Sequence, residues 1–213
     1  TLLCVEQTHN FGGGTVWTLE ELAAVADAAH ENGLMVHIDG ARLMNAVVAS
    51  GTSAAAYSAV CDSVWIDFTK GLGAPLGAVL AGSSDFIERA RRYKHLFGGA
   101  MRQAGIAAAG CIYALDHHVG RLEDDHENMQ LLADGLRVIP GLVVPERVDT
   151  NILFFTISAP GLDAAAFTKR MGEREILFHA IGDQMRMVTH LDVSREEVQT
   201  AVEAAQEVMA GVE

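Results

Sequence analysis

The sequence is short of cysteine, of positive charge and of long apolar runs, and each shortage argues against a class of protein. Cys4, Cys61 and Cys111 are widely spaced and form no C-x-x-C pair. They predict buried free thiols in a reducing compartment, the cytoplasm, rather than a disulfide frame or a zinc site. The net charge of −13 argues against nucleic acid or an anionic membrane as a partner. The longest apolar runs are about eight residues, whereas about 20 are needed to span a bilayer.

The chain nevertheless has enough apolar material for a core. Apolar residues make up 50% of the 213, and charged residues 20%. This length suits one domain or slightly more. The chain has no initiator Met and opens inside an apolar run, Leu2 to Val5, so we expect a fragment whose N-terminal part is missing.

Strands and helices alternate through the first two thirds of the chain. A capping box of Thr18 and Glu21 predicts a helix at 18–32 that ends at Gly33. The apolar run Leu34 to Ile38 predicts a strand buried on both faces. Further predicted elements are helices at 43–49, 83–94 and 101–113 and strands at 63–68 and 78–81. The fold class predicted by this alternation is α/β, with a mostly parallel sheet flanked by helices.

The pattern changes after about residue 120. The predicted elements there are a helix at 121–138, strands near 142–144, 151–157 and 185–189, a helix at 163–172, and a final helix. The final helix opens with a second capping box, Ser194 and Glu197. We therefore predict two domains, residues 1–120 and a small C-terminal α+β domain at 121–213.

Polar side chains follow three of the predicted strands. In a parallel sheet, ligands bind beyond the carboxyl ends of the strands, so these positions are candidates for a site. The residues that follow the strands are Glu6, His9 and Asn10 after the first, Asp39 and Arg42 after the second, and Lys70 after the third. An acid, an amide, an arginine and a lysine should therefore share one edge of the sheet.

Lys70 is the most informative of these residues. It follows an almost wholly apolar strand, so we expect a partly buried amine, and burial favours the uncharged, nucleophilic form. A P-loop is excluded because the glycines follow the lysine instead of preceding it. A structural ion pair with Asp39 stays open. Asp39 itself needs a partner, which could be Lys70, Arg42 or a cofactor ring nitrogen of the kind that pyridoxal phosphate enzymes hold with an acid.

Four strings of sequence indicate a family. They are H-I-D-G-A-R (37–42), T-K-G-L-G-A-P-L-G (69–77), G-G-A-M-R-Q-A-G (98–105) and M-V-T-H-L-D-V-S (187–194). In this order and at this spacing, they resemble the low-specificity L-threonine aldolases, pyridoxal phosphate enzymes with an aspartate-aminotransferase-like fold. Two departures are mild, since Ala100 stands where many members have glycine and Thr69 where serine is common.

The resemblance implies that pyridoxal 5′-phosphate is the cofactor. Lys70 would be the catalytic residue and would hold the cofactor as a Schiff base. Asp39 would pair with the pyridinium nitrogen. Arg42 would lie near the cofactor's 3′-oxygen and would also contact the carboxylate of the substrate.

Three further residues receive roles from the same resemblance. Arg186 would bind the substrate carboxylate, for which the paired donors of a guanidinium are suited. Arg102 would supply positive charge near the phosphate across a subunit interface. Asn10 would bind the 3′-oxygen, although an asparagine that merely forms a turn is an equal alternative.

The histidines are weaker candidates. We expect His37 to support Asp39 through hydrogen bonds, while His9 is either a proton carrier or a loop residue. His117, His118 and His126 lie on helices among carboxylates, which indicates solvated faces rather than a metal site.

The implied reaction is a retro-aldol cleavage of L-threonine or L-allo-threonine to glycine and acetaldehyde by a homo-oligomer, a dimer or tetramer. A histidine or an ordered water would act as the base, and no metal is expected. Two alternatives stay open: a β-eliminating amino-acid lyase of the same fold, and a non-catalytic module that retains the fold.

Overall fold

The computed structural model describes residues 1–211, in which eight strands and eight helices alternate for most of the chain. The strands are β1 (Leu2–Glu6), β2 (Met35–Gly40), β3 (Ser63–Asp67), β4 (Ala78–Gly82), β5 (Leu142–Val143), β6 (Ile152–Ile157), β7 (His179–Ile181) and β8 (Gln184–Val188). The helices are α1 (Leu19–Glu31), α2 (Leu43–Ser50), α3 (Ala54–Ala59), α4 (Ser84–Leu96), α5 (Gly105–His117), α6 (Leu122–Arg137), α7 (Ala164–Gly172) and α8 (Arg195–Ala210). They form two compact units.

The first unit comprises Thr1–His9 and Val16–Leu122. Its sheet has the order β1-β2-β3-β4. The first three strands are parallel and β4 runs antiparallel to β3. The predicted mostly parallel sheet with flanking helices is therefore confirmed.

The two faces of β2 differ in solvent exposure, so the prediction that this strand is buried on both faces is wrong. Val36 and Ile38 are fully buried on one face. His37 and Asp39 point to the other face and are only half-buried, because polar side chains there keep contact with solvent. The half-covered face lies where the candidate residues were predicted.

The predicted helix boundaries hold where a cap is encoded locally. At the start of α1 the Thr18 hydroxyl accepts from the Glu21 backbone N–H at 3.2 Å, and the Glu21 carboxylate accepts from the Thr18 N–H at 2.9 Å. The helix predicted at 101–113 instead begins at Gly105. Gln103 has a φ of 55°, in the left-handed region, and this conformation interrupts the helix on its N-terminal side.

The second unit comprises Asn10–Thr15 and the chain from Glu123 onward. Its sheet has the order β5-β6-β8-β7, with every neighbouring pair antiparallel. Helices α6, α7 and α8 contribute to one apolar core with the sheet, and Phe155, Phe167 and Met171 are almost completely buried in it. This is the α+β unit that the sequence predicts.

The described helices do not have the character of membrane spans. Among residues 1–211, no helix has both the length and the apolar character that crossing a bilayer requires.

Candidate active site

The carboxyl ends of the parallel strands in the first unit bring polar residues to one edge of the sheet. Glu6 at the end of β1 is paired with Asp39 in β2, and Asp39 is paired with Trp65 in β3. Paired residues of neighbouring strands project to the same face of a sheet. Asp39 and Trp65 therefore point to the half-covered face.

Lys70 reaches the same face from the turn after β3. Its Nζ lies 5.4 Å from the centroid of the Trp65 ring, within the range of a cation–π contact. The Lys70 side chain is 36% exposed, so its amine is partly buried and still open to a ligand. Trp65 thus links the lysine and Asp39 to one face at one end of the sheet.

The ion-pair partner of Lys70 is Asp67, and not Asp39, the alternative that the sequence left open. Lys70 Nζ donates to Asp67 Oδ2. Asp67 Oδ1 accepts from the backbone N–H of Thr69 at 3.0 Å and from its hydroxyl at 2.8 Å. Burial raises the pKa of Asp67, but the hydrogen bonds from Lys70 and Thr69 outweigh that effect and hold the pKa below its ordinary value.

Asp39 and Arg42 occupy the turn between β2 and α2. Asp39 Oδ1 accepts a hydrogen bond from the Ala41 N–H at 3.1 Å, which holds the carboxylate at the strand end. Arg42 is half-buried at the N-cap of α2. Arg42 and Asp67 both line one small recess between this turn and the Lys70 turn, together with Asn45. The recess therefore places Arg42 near Asp67, the residue that is bonded to Lys70.

The histidines of the first unit support the site less directly. His37 Nδ1 lies 2.8 Å from the Ser63 hydroxyl of the neighbouring strand, so this bond joins β2 to β3, and the predicted support of Asp39 stays a prediction. His9 Nε2 lies 3.6 Å from Glu6 Oε2 at the end of β1, so this histidine is paired with a carboxylate rather than isolated in a loop.

Arg186 and Asn10 meet in the second unit, although they are 176 residues apart in sequence. Arg186 Nη2 and Nε donate to Asn10 Oδ1 at 2.8 and 3.2 Å. The guanidinium carbon lies 6.0 Å from the centroid of the Phe154 ring. Burial lowers the pKa of Arg186. The arginine is thus oriented by an amide and a ring, in a partly desolvated position that suits binding of an anion.

Arg102 is separate from these groups. It lies in the exposed loop between α4 and α5, three residues before the first residue of α5. Among the residues that the structure describes, it forms no hydrogen bond or ion pair. The expectation that a helix start lies directly beside it is wrong, because α5 begins only at Gly105.

His126 corrects the expectation of a solvated face. It lies on α6 in the second unit, and burial lowers its pKa from 6.5 to about 4. Its neighbours in sequence are carboxylates, but its side chain is half-buried. In the part of the chain that the structure describes, no three His, Cys, Asp or Glu side chains are grouped so that they could hold a metal ion.

Sequence reasoning missed Asp67 and Trp65. Both lie in a strand that reads as almost wholly apolar. Trp65 is on the face of Asp39 because the two residues are paired, and Asp67 is on that face because it lies two residues further along the strand. The spacing of three residues between Asp67 and Lys70 across a turn was the available signal.

A parallel sheet with a lysine and an aspartate at its carboxyl edge is an α/β architecture, and comparison with known proteins identifies its family. The chain belongs to the Beta-eliminating lyase family, whose model matches residues 1–160.

Its relatives include the Low specificity L-threonine aldolase of Escherichia coli K12, which is 44% identical over 197 residues. The match covers 92% of this chain and 57% of the relative. The Low-specificity L-threonine aldolase 1 of Arabidopsis thaliana is 35% identical, with 98% of this chain and 59% of the relative covered. The chain therefore spans somewhat more than half the length of the curated relatives that it matches.

Solved structures share the fold at low sequence identity. A threonine aldolase of Leishmania major superposes with a TM-score of 0.74 at 20% identity, covering 98% of this chain and 61% of that one. An α-aminoadipate aminotransferase of Thermus thermophilus also gives a TM-score of 0.74, at 14% identity, covering 99% and 59%. The predicted aminotransferase-like fold is confirmed.

Proposed function

We propose that the protein to which this chain belongs is a pyridoxal 5′-phosphate-dependent carbon–carbon lyase that cleaves L-threonine or L-allo-threonine to glycine and acetaldehyde. The observation that carries the proposal is the shared position of the Lys70 amine and the Asp39 carboxylate, on one face and at the carboxyl edge of a parallel sheet. The resemblance to the threonine aldolase of Escherichia coli supports the choice of substrate.

The residues at this edge fit the cofactor by their chemistry. A partly exposed primary amine can bond covalently to an aldehyde, and a carboxylate on the same face can hold a proton on a pyridine nitrogen. When bound, pyridoxal phosphate would supply an aromatic ring that takes up the electron pair released when the Cα–Cβ bond of the substrate breaks.

The remaining residues would bind and orient. In this proposal the Arg186 guanidinium binds the substrate carboxylate, and its donors are pre-oriented by Asn10 and Phe154. Arg42 would lie near the 3′-oxygen of the cofactor and would also contact the substrate carboxylate. Arg102 would supply positive charge for the phosphate from its exposed loop. Asn10, which is bonded to Arg186, would also bind the 3′-oxygen.

Covalent trapping tests the role of Lys70. The protein is incubated with pyridoxal phosphate, reduced with borohydride and digested, and the adduct is located by mass spectrometry. The expected adduct is on Lys70, and Lys70→Ala should abolish it and reduce glycine release from threonine to background. Lys169→Ala is the matched control, since Lys169 is 80% exposed on α7. An adduct confined to lysines other than Lys70 would contradict the proposal.

A second readout is optical. The chain has two tryptophans, Trp17 and Trp65. In a Trp17→Phe variant the emission comes from Trp65 alone, beside the Lys70 amine. Bound pyridoxal phosphate absorbs near the emission of tryptophan, so it should quench this fluorescence, and Lys70→Ala should weaken the quenching.

β-Elimination is the second candidate function, favoured by the description of the family as beta-eliminating lyases. It would break a bond from Cβ to a leaving group instead of the Cα–Cβ bond. Product analysis separates the two, because cleavage of threonine gives glycine and acetaldehyde, whereas elimination from serine gives pyruvate and ammonia.

We also propose that the protein is a cytoplasmic homo-oligomer, a dimer or tetramer. The three cysteines are free, which suits a reducing compartment, although none of them is buried as the sequence predicts. Exposed apolar side chains on α5, including Ile106, Ile112 and Tyr113, would suit a subunit contact. Sedimentation of the purified protein tests the stoichiometry.

A further inference from the structure

The pairing of Lys70 with Asp67 needs an explanation that the proposed function does not supply. A lysine that attacks an aldehyde must be uncharged, whereas a carboxylate in direct contact favours the charged ammonium. The Trp65 ring also favours a cation at this position. Two neighbours of the Lys70 amine therefore oppose its role as a nucleophile.

Asp67 is held rigidly in this position. It is the last residue of β3, where it is paired with Ala78 of β4, and it is 8% exposed. Its Oδ1 is fixed by two hydrogen bonds from Thr69, so only Oδ2 faces the lysine amine. The backbone N–H and the hydroxyl of Thr69 both stabilise the charged form of this carboxylate.

Lys70 is the more exposed member of the pair. Its side chain is 36% exposed and follows a turn, whereas Asp67 is fixed on a strand. The Asp67 carboxylate therefore keeps its position, and the Lys70 amine is the group that can leave this contact and return.

We propose that Asp67 is a positioning residue that holds the free Lys70 amine as an ammonium, and thereby favours release of the lysine from the cofactor when a substrate amine arrives. This inference rests on the proposed function. In this role Asp67 acts at the end of the exchange between Lys70 and the substrate amine, by stabilising the released Lys70 ammonium, and not at its start.

The exchange balances without any added reactant. The imine bond between Lys70 Nζ and an aldehyde carbon would break, and one between the substrate nitrogen and that carbon would form. The substrate would enter as an ammonium, and Lys70 would carry the protons that the substrate nitrogen loses and leave as an ammonium. Stabilising this product with Asp67 moves the equilibrium towards bound substrate.

The chain contains an internal reference for a test, because its three lysines are Lys70, Lys94 and Lys169. The whole protein is equilibrated with pyridoxal phosphate at several glycine concentrations and reduced with borohydride. Peptide mass spectrometry then gives the ratio of the adduct on Lys70 to the adducts on Lys94 and Lys169. The ratio corrects for free aldehyde that glycine removes from solution.

Asp67→Asn keeps the shape of the side chain but loses the charge. We expect it to raise the ratio about three- to tenfold, and to raise the glycine concentration that displaces half of the Lys70 adduct by the same factor, as loss of a partly buried ion pair implies. Asp67→Glu should return the ratio to within about twofold of the parent protein. Asp62→Asn is the matched control, since Asp62 pairs with His30 instead of a lysine, and it should leave the ratio unchanged.

An unchanged or lowered ratio in Asp67→Asn would overturn the inference. If that variant does not fold, Thr69→Ala carries the test, because it removes one hydrogen bond to Asp67 and should raise the ratio in the same direction by less. Failure of the proposed function gives a different result: the parent protein would then show no preference for Lys70 over the other two lysines.

Discussion

The two units of this chain bury their apolar residues to different degrees. In the second unit one cluster joins α6, α7 and α8 to the sheet and includes Phe155 and Phe167. In the first unit the buried residues form three smaller clusters, and all five residues of β4 are exposed. Phe97 after α4 and Ile106 on α5 are more than 80% exposed. Lys70, Asp67 and Asp39 thus belong to the unit with the more divided core, whereas the other unit has one continuous core.

The largest expected difference between the units comes from removing a core aromatic ring. Phe167 is fully buried and meets Phe155 edge-on, with the ring centroids 6.1 Å apart. Phe167→Ala should lower the free energy of unfolding of the second unit by about 3–5 kcal/mol. Phe97→Ala should change stability by less than about 0.5 kcal/mol. Urea unfolding followed by hydrogen exchange in each unit measures both, and similar losses would remove the contrast.

Acidification should weaken the second unit before the first. His126 has a pKa of about 4 in the folded chain and near 6.5 when unfolded. The unfolded state therefore binds more protons between these values, and stability falls as the pH falls from 6.5 to 4, by at most about 3 kcal/mol.

Asp67 in the first unit has a lowered pKa. Its contribution to the free energy of unfolding is therefore kept until the pH falls to the ordinary pKa range of aspartate and below. Unfolding measured from pH 7 to pH 4 should show the loss, and His126→Gln should flatten the slope. A slope that persists in this variant would assign the effect to other groups.

Two helical glycines offer a smaller test. A Cβ added at Gly135 of α6 would lie 2.6 Å from a methyl carbon of Val202 on α8, so Gly135→Ala should cost about 1–3 kcal/mol in spite of its better helix propensity. A Cβ at Gly105 of α5 would meet no atom within 4 Å among the described residues. Gly105→Ala should therefore stabilise its helix by as much as about 1 kcal/mol, and a thermal melt of each variant reports the sign.

The helix caps should give the smallest effects. The Ser194 hydroxyl accepts from the Glu197 N–H at 3.2 Å, and α8 behind it buries five residues. Ser194→Ala should destabilise the second unit by about 1 kcal/mol. Ser83 caps α4 in the same way, but α4 has no buried side chain among the described residues. Ser83→Ala should therefore only speed local amide exchange, and a global loss of stability would show that α4 is better packed than its exposure indicates.

Elements with a local signal were predictable from sequence. Both capping boxes place the starts of α1 and α8 within a residue, because the cap bonds join residues three apart. Helix α3 was missed because Ala54–Ala59 is nearly all small residues without an apolar period. Strand β7 was missed because it has only three residues and forms through its pairing with β8, which no local sequence pattern encodes.

The residues of the candidate site divide in the same way, into those that a sequence signal predicts and those that it does not. Lys70 and Asp39 could be found because strand ends of a parallel sheet meet at one edge. The bond between Asn10 and Arg186 spans 176 residues, and no local pattern encodes such a contact. Asp67 lies three residues from Lys70, yet the turn that aims its carboxylate at the amine appears only in three dimensions.

Strand β4 has a practical consequence for anyone handling this protein. It is the outermost strand of its sheet, is built of Ala78, Val79, Leu80, Ala81 and Gly82, and has no charged side chain to discourage a neighbour. An uncharged edge strand of this kind can template the addition of a strand from another molecule. Concentrated solutions should therefore lose material by intermolecular sheet growth, and a lysine introduced at Val79 should slow that loss.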